Sequence, residues 1–373
     1  MADTQPPPGD AFPPLPVETL IPGLPNEIAF NCLIQVPRWY HPVLCAVSKP
    51  IRSLVTSPKF STMNRAILNF SQHTLHIQMP SSNHNDLAKW FALHRTPNNS
   101  FLLQPIPPCP SKLHRSTFAV LGTELYVIGG YYKDNVHFYN SPHVWVLDCL
   151  SHRWTRGPSL LVPRSEANAV VLDGKIYVVG GAVSLVEVLD LDVGEWQGIP
   201  TLEHSSSNVK RSVIMNDKLC GFFEYDGAGI MYNLRKLMQE EFPIKLKTRP
   251  PNLRDAAYAN GVLCVSDING TIFGLDERND AWKVLKGVRG HLPGFDIGRA
   301  VFIRMRSVGG RLVLMWSQKN DEKEKNQQGK VWCGEIEVKK LGGLDGDLLA
   351  KVHWAHMVPQ LQWVPKDWVS ISF

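Results

Sequence analysis

The stretch "FAVLGTELYVIGG" (118–130) can be laid residue for residue on "AVVLDGKIYVVGG" (169–181). Each holds two β-rich runs joined by a tight turn. Each ends in a glycine pair, Gly129–Gly130 and Gly180–Gly181, where the backbone needs positive φ or a close neighbour. A third run follows, "VWVLD" or "VEVLD", and a fourth carries Trp154 or Trp196. That makes four antiparallel strands per unit. An acid stands six residues before a tryptophan in "DCLSHRW" (148–154), "DLDVGEW" (190–196) and "DERNDAW" (276–282). One such pair could hold a sugar between a carboxylate and an aromatic platform. Three in one chain mark a structural repeat instead, and Trp154, Trp196 and Trp282 are expected to pack between neighbouring units.

Weaker copies extend the pattern in both directions. "RSVIMNDKLCGFFEYDGAGIMYNL" (211–234) keeps the strands but lacks the glycine pair and the tryptophan. "YANGVLCVSDINGTIFGLDERNDAW" (258–282) keeps the turn and the Asp–Trp spacing, and "VFIRMRSVGGRLVLMW" (301–316) opens a last unit completed by "KVWCGEIEV" and "AKVHW". Upstream, "TLHIQM", "AKWFALH" and "SFLLQPI" supply strands of a divergent first unit. Each unit is about 40–50 residues long, the length of one four-stranded blade of a β-propeller. About six blades fit residues 67–362, and the segment 363–373, "WVPKDWVSISF", is a candidate closing strand.

The N-terminal part reads differently. Residues 1–18 are Pro-rich and are expected to be a disordered tail. Residues 20–66 read as helical: Leu24, Ile28, Cys32, Leu33 and Val36 fall at helical spacing, and Pro25, Pro42 and Pro50 suit first turns. Three short helices cannot bury all this apolar surface by themselves, so some of it should face a partner. The expected fold class is thus mainly β, a six-bladed propeller behind a small α-helical domain.

The two strongest blade copies resemble kelch repeats, whose marks are the glycine pair and the later tryptophan. "LPNEIAFNCLIQVPRWYHPVLCAVSKPIRSLVTSPKF" (24–60) resembles an F-box, in particular that of plant F-box/kelch-repeat proteins of the Skp-interacting type. The family's Leu-Pro opening falls on Leu24-Pro25, and its Cys-Leu-x-x-Val-Pro-Arg segment on Cys32, Leu33, Val36, Pro37 and Arg38. Its Tyr-x-x-Leu-x-x-Val-Ser segment falls on Tyr40, Leu44, Val47 and Ser48, with one extra residue after the tyrosine, and its Arg-Ser-Leu ending on Arg52, Ser53 and Leu54. The resemblance implies a non-catalytic substrate receptor of an SCF-type, cullin-based ubiquitin ligase. The F-box would dock a Skp-family adaptor through Leu24, Pro25, Ile28, Cys32, Leu33, Val36, Pro37, Tyr40, Leu44, Val47, Arg52 and Leu54, and the propeller would hold a protein substrate. The alternative is a kelch scaffold working outside any ligase.

Composition narrows the other classes. The 373 residues carry a net charge of +5 with no Lys/Arg block, which does not argue for nucleic acid or a DNA-reading helix-turn-helix. Seven cysteines stand without a C-x-x-C pair, as expected of reduced thiols in cytosol or nucleus. There is neither a secretory signal nor an 18-residue apolar run, so no membrane partner is expected. No catalytic motif appears, the histidines lack ligand spacing, and a copper oxidase would need a His/Tyr set that is not found; no metal or cofactor is expected. "SDINGT" lacks the glycine of a calcium loop and reads as a turn. Two candidate substrate features remain. Arg115, Arg164, Arg211, Arg254 and Arg299 stand at successive blade entries, 43–49 residues apart, and would either line one rim and favour an acidic segment or phosphate, or bond carbonyls of neighbouring blades. The loop "YYKDNVHFYNSPH" (131–143) carries Tyr131, Tyr132, Phe138 and Tyr139, and would either recognise a partner or fold onto its own blade.

Overall fold

The computed structural model describes residues 18–68, 73–79, 87–96, 100–134, 136–182, 185–200, 209–223, 229–236, 238–240, 253–277, 281–295, 301–318, 330–341, 347–359, 361, 364–365 and 367–372. The Pro-rich tail up to residue 17 and Arg299 lie outside these.

Four helices come first: α1 (Asn26–Leu33), α2 (His41–Val47), α3 (Lys49–Val55) and α4 (Pro58–Leu68), with a 3-10 turn over Arg38–Tyr40. Prolines set their starts. Pro25 caps α1, and Pro42 and Pro50 sit in the first turns of α2 and α3, where a missing N–H is not needed. The Ser48 hydroxyl accepts the Ile51 amide and caps α3. Ala29, Phe30, Leu33, Ile34, Cys45, Ile51, Leu54, Val55 and Phe60 form one buried core. The fourth helix was not expected from the sequence. It begins with a stretch, "PKFSTMN", whose serine, threonine and asparagine are weak helix formers, and packing of Phe60 against Phe30 and His41 decides the matter.

The rest is the expected six-bladed β-propeller. Blade one comprises β1 (His73–Met79), β2 (Lys89–Arg95) and β3 (Phe101–Ile106), and its innermost strand is β26 (Asp367–Ser372) from the far end of the chain. Blade two is β4 (Thr117–Leu121), β5 (Glu124–Ile128), β8 (Val144–Asp148) and β9 (Arg153–Arg156), with a hairpin of β6 (Tyr131–Lys133) and β7 (Phe138–Asn140) between its second and third strands. Blade three runs β10 (Asn168–Leu172), β11 (Lys175–Val179), β12 (Leu185–Asp190), β13 (Glu195–Pro200). Blade four runs β14 (Val209–Met215), β15 (Lys218–Phe223), β16 (Gly229–Asn233), β17 (Met238–Glu240). Blade five runs β18 (Asp255–Ala259), β19 (Val262–Ser266), β20 (Ile272–Asp276), β21 (Ala281–Val284). Blade six runs β22 (Val301–Val308), β23 (Arg311–Gln318), β24 (Trp332–Lys340), β25 (Leu348–Met357). The inner strands β26, β4, β10, β14, β18 and β22 contact one another in a closed ring. β26 pairs antiparallel with β1, from His73 opposite Ser372 to Gln78 opposite Asp367.

The glycine pairs let the end of the second strand lie close against the chain that enters the same blade. Gly130 and Gly181 have φ of 106° and 70°, and a Cβ on Gly181 would come within 2.2 Å of the Ser165 carbonyl oxygen. Only glycine fits such a place. The outer-strand tryptophans pack on the preceding blade. Trp196 is buried among Ala119, Tyr126 and Val146 of blade two, and its Nε1 donates to the Pro158 carbonyl at 2.9 Å. Trp154 is half-buried against Trp90 of blade one and donates to the Pro107 carbonyl at 2.8 Å. Trp282 packs against the apolar cluster between blades four and five. Trp196→Ala should cost ~3–5 kcal/mol through the lost ring and the cavity it leaves, and Trp154→Ala about half as much. Chemical denaturation checks this; equal, near-zero losses would return the tryptophans to a ligand site.

Candidate functional site

The helical domain divides its apolar residues between two sides. Ala29, Phe30 and Leu33 turn inward from α1, while Ile28 is 50% exposed and Leu24, Pro25 and Cys32 lie outward with it. Successive helical residues lie ~100° apart, so Leu33 stands ~140° round from Ile28. The single stripe expected from the sequence is therefore split, with Leu33 and Leu54 in the core. Val36, Pro37 and Leu44 are half-buried, and Arg52 is tied inward by a 2.7 Å bond from its Nε to the Cys45 carbonyl. Tyr40 and Val47 are exposed as expected, Val47 by 64%. Val43, 58% exposed one turn before Val47, escaped the sequence reading, although its i, i+4 spacing to Val47 was the available signal. Leu24, Ile28, Tyr40, Val43 and Val47 thus leave a large amount of apolar side chain exposed on a small domain.

The inner strands enclose a channel of about 640 Å³. Arg115, Arg211 and Arg254 come together at its mouth, but Arg164 does not. Its side chain is 0% exposed, its Nε pairs with Glu187 Oε1 at 2.7 Å, and its Nη1 donates to the Gly180 carbonyl at 2.8 Å. Arg164 thus takes a structural role rather than a substrate contact, although Gly180 and Glu187 belong to its own blade three and not to the neighbouring blade expected from the sequence. Arg304 and Arg306 of β22 line the mouth instead. Residues two apart on a strand share a face, and the "RMR" alternation of 304–306 was the signal in the sequence.

Buried Asp255, first residue of β18, sits among these arginines. Its carboxylate accepts the Met305 amide at 2.9 Å and pairs with Arg211 Nε at 3.0 Å and Arg306 Nη1 at 3.2 Å. Burial alone would raise its pKa, but the guanidiniums of Arg306, Arg211 and Arg304 outweigh this and hold it below the usual carboxylate range. Aromatic rings support the guanidiniums from behind: Phe302 under Arg304 and Arg254 at 4.8 and 5.9 Å, Trp368 under Arg306 at 5.7 Å. Arg115 pairs with Glu166 and lies 5.9 Å from the Tyr131 ring.

The long 131–143 loop rises on the same side. His114 and Tyr131 exchange backbone hydrogen bonds, which fixes the base of the hairpin beside Arg115. Tyr131 packs edge-on to Phe138 at 5.1 Å, Tyr132 stacks on Tyr139 at 5.3 Å, and Asp134 Oδ1 accepts the amides of Val136 and His137 at the tip. Tyr132, Phe138 and Tyr139 remain exposed.

A histidine cluster lies where the helical domain meets blades one and two. His41 of α2, His76 of β1, His94 of β2 and His152 between β8 and β9 surround a small gap beside Arg38. Trp39 contacts His94 at a ring distance of 6.0 Å. Burial pushes His76 and His94 down to about 3, and His41 and His152 down to about 4. Among the described residues no group of three potential ligands is placed to hold a metal. Burial also pushes the thiols of Cys109, Cys220 and Cys264 up to about 12, which silences them as nucleophiles. Asp267 Oδ1 accepts the amides of Asn269 and Thr271, so "SDINGT" closes a turn. No helix among the described residues is long and apolar enough to cross a membrane.

The FKB95 Kelch-repeats domain profile matches residues 90–359, and the F-box domain profile matches residues 21–62. The chain belongs to the F-box/kelch-repeat family. The plant kinship read from the sequence is borne out. A putative F-box/kelch-repeat protein of Arabidopsis thaliana is 30% identical over 376 residues, covering 93% of this chain and 90% of the relative. Another Arabidopsis F-box/kelch-repeat protein is 30% identical over 369 residues, covering 90% and 86%. The solved structure of YjhT shares the propeller fold with a TM-score of 0.53 at 13% identity, covering 74% of this chain and 94% of that one. F-box/kelch-repeat proteins are generally adaptors rather than catalysts, and the F-box generally binds Skp-type adaptors.

Proposed function

We propose that this F-box/kelch-repeat protein is the substrate-recognition subunit of an SCF-type ubiquitin ligase. The F-box docks a Skp-family adaptor, and through it a cullin, while the propeller holds a protein substrate. The receptor makes and breaks no bond; it raises the substrate's effective concentration near a ubiquitin-conjugating enzyme. The observation that carries the reading is the outward apolar face of the F-box, Leu24, Ile28, Val43 and Val47, left uncovered by the chain's own core. Burying one such side chain contributes roughly 1.5–3 kcal/mol.

In a pull-down and titration with purified Skp adaptor, Leu24→Ala/Pro25→Ala and Val43→Asp/Val47→Asp should each weaken binding by ~10-fold or more. The melting temperature should stay unchanged in Val43→Asp/Val47→Asp, whose side chains are exposed, and fall slightly in Leu24→Ala/Pro25→Ala, because Pro25 begins α1. Adaptor binding equal to that of the parent would return the chain to a kelch scaffold acting outside a ligase.

A further inference from the structure

We propose that the channel mouth binds an acidic stretch of a partner polypeptide, whose carboxylates enter beside Arg211, Arg254, Arg304 and Arg306 and whose flanking apolar side chains rest on the β6–β7 hairpin. The identification of that polypeptide as a ubiquitination substrate rests on the receptor reading above; the site itself belongs to the propeller alone.

Charge is the first argument. Among the described residues, five arginines line the mouth against two carboxylates, Asp255 and Glu166. The excess is assembled from the entry of blade two and the inner strands β14, β18 and β22, which converge on one opening. Like charges gathered in a partly enclosed space repel, and an entering anion relieves that repulsion. The residue type is the second argument. A guanidinium offers a planar fork that matches a carboxylate, and Phe302 and Trp368 hold three of the planes in place before any ligand arrives. Asp255 already shows the cluster's preference, a buried carboxylate engaged by Arg211 and Arg306. Size is the third argument. A volume of about 640 Å³ lies in the range of sites, ~300–1,000 Å³, that enclose ligands far larger than an inorganic ion. The fourth is the neighbouring hairpin. Its exposed Phe138 packs on Tyr131, whose ring lies beside Arg115, and aromatic side chains on a rigid base suit contact with a polypeptide.

The probe is fluorescein-labelled hexaglutamate with one leucine at each end, titrated by anisotropy against the full chain. Saturable binding that weakens with added salt is expected. Arg254→Glu, an exposed position, should weaken binding by about tenfold or more without shifting the melting temperature. Arg306→Lys keeps the charge but loses the fork and should weaken it several-fold. Phe138→Ala should weaken the leucine-flanked peptide and leave bare hexaglutamate unchanged. Unaltered affinity in Arg254→Glu overturns the proposal. So does inorganic phosphate that competes as well as the peptide at equal concentration, which would make this a small-anion site. The Leu24→Ala/Pro25→Ala variant should bind the peptide as the parent does. If peptide binds but the parent never binds adaptor, the ligase reading falls and the site stands.

Discussion

Deletion of residues 367–372 is expected to abolish the folded propeller and leave the protein insoluble. These residues are β26, the innermost strand of blade one. Trp368 and Ile371 are both fully buried, one in the cluster between blades six and one, the other in the cluster between blades one and two. Removing one buried tryptophan costs ~3–5 kcal/mol and one buried isoleucine ~2–5 kcal/mol. Their sum already rivals the ~5–15 kcal/mol that holds a whole domain folded. The deletion also leaves β1 without its inner partner and separates β22 from β4. Soluble yield and a circular-dichroism melt measure the outcome. Trp368→Phe serves as the mild control and should remain soluble. A soluble deletion variant that melts within a few degrees of the full chain would show that the ring does not depend on this closure.

Acid should produce the second large effect, and at a particular place. The buried histidines His41, His76, His94 and His152 titrate at about 3 to 4, against 6.5 for an ordinary histidine. Burial is the main cause in each. Arg38 lowers all four further, while Asp148 pulls the other way on His152. The folded form therefore binds fewer protons than the opened form. Its stability is fully present above pH ~6.5 and is lost as pH falls toward 4. At pH 5 each histidine contributes a loss on the order of 2 kcal/mol. The cluster is shared between α2 and blades one and two, so the contact between the F-box and these blades is the expected first place to open. Trp39, beside His94, reports this by fluorescence. The expected record is a fluorescence change between pH 6.5 and 4.5 that His76→Leu reduces. A melting temperature flat from pH 7.5 to 5 would refute the buried-neutral account.

The repeat was legible because its periodicity is enforced by packing. Every blade needs four strands, and a tryptophan such as Trp196 must reach the preceding blade, so Asp190 and Trp196 recur at fixed spacing. The F-box was legible from prolines that must begin helices. Side was less legible than spacing. Leu33 lies near Ile28 in sequence, yet the helix turns it into the core. Arg164 keeps the same beat as Arg115 and Arg211, yet burial beside Glu187 gives it a structural role. Which of two like arginines faces a channel depends on its partner carboxylate, and Glu187 lies 23 residues away on another strand. Arg304 and Arg306 were hidden by Arg299, which already falls on the blade-six beat; place in the strand gives no sign, since Arg211 also stands inside β14.

The closure of blade one also sets an order in time. β1 emerges from the ribosome about 300 residues before the strand that pairs with it. At roughly 5–20 residues per second, it waits on the order of 15–60 s with one edge unpaired. An unpaired apolar edge is a template for the wrong neighbour, and joining such distant segments carries a loop-closure cost that local hairpins avoid. The F-box helices, made first from local contacts, can fold during that wait. The nascent protein can therefore possess a finished F-box well before its ring is closed.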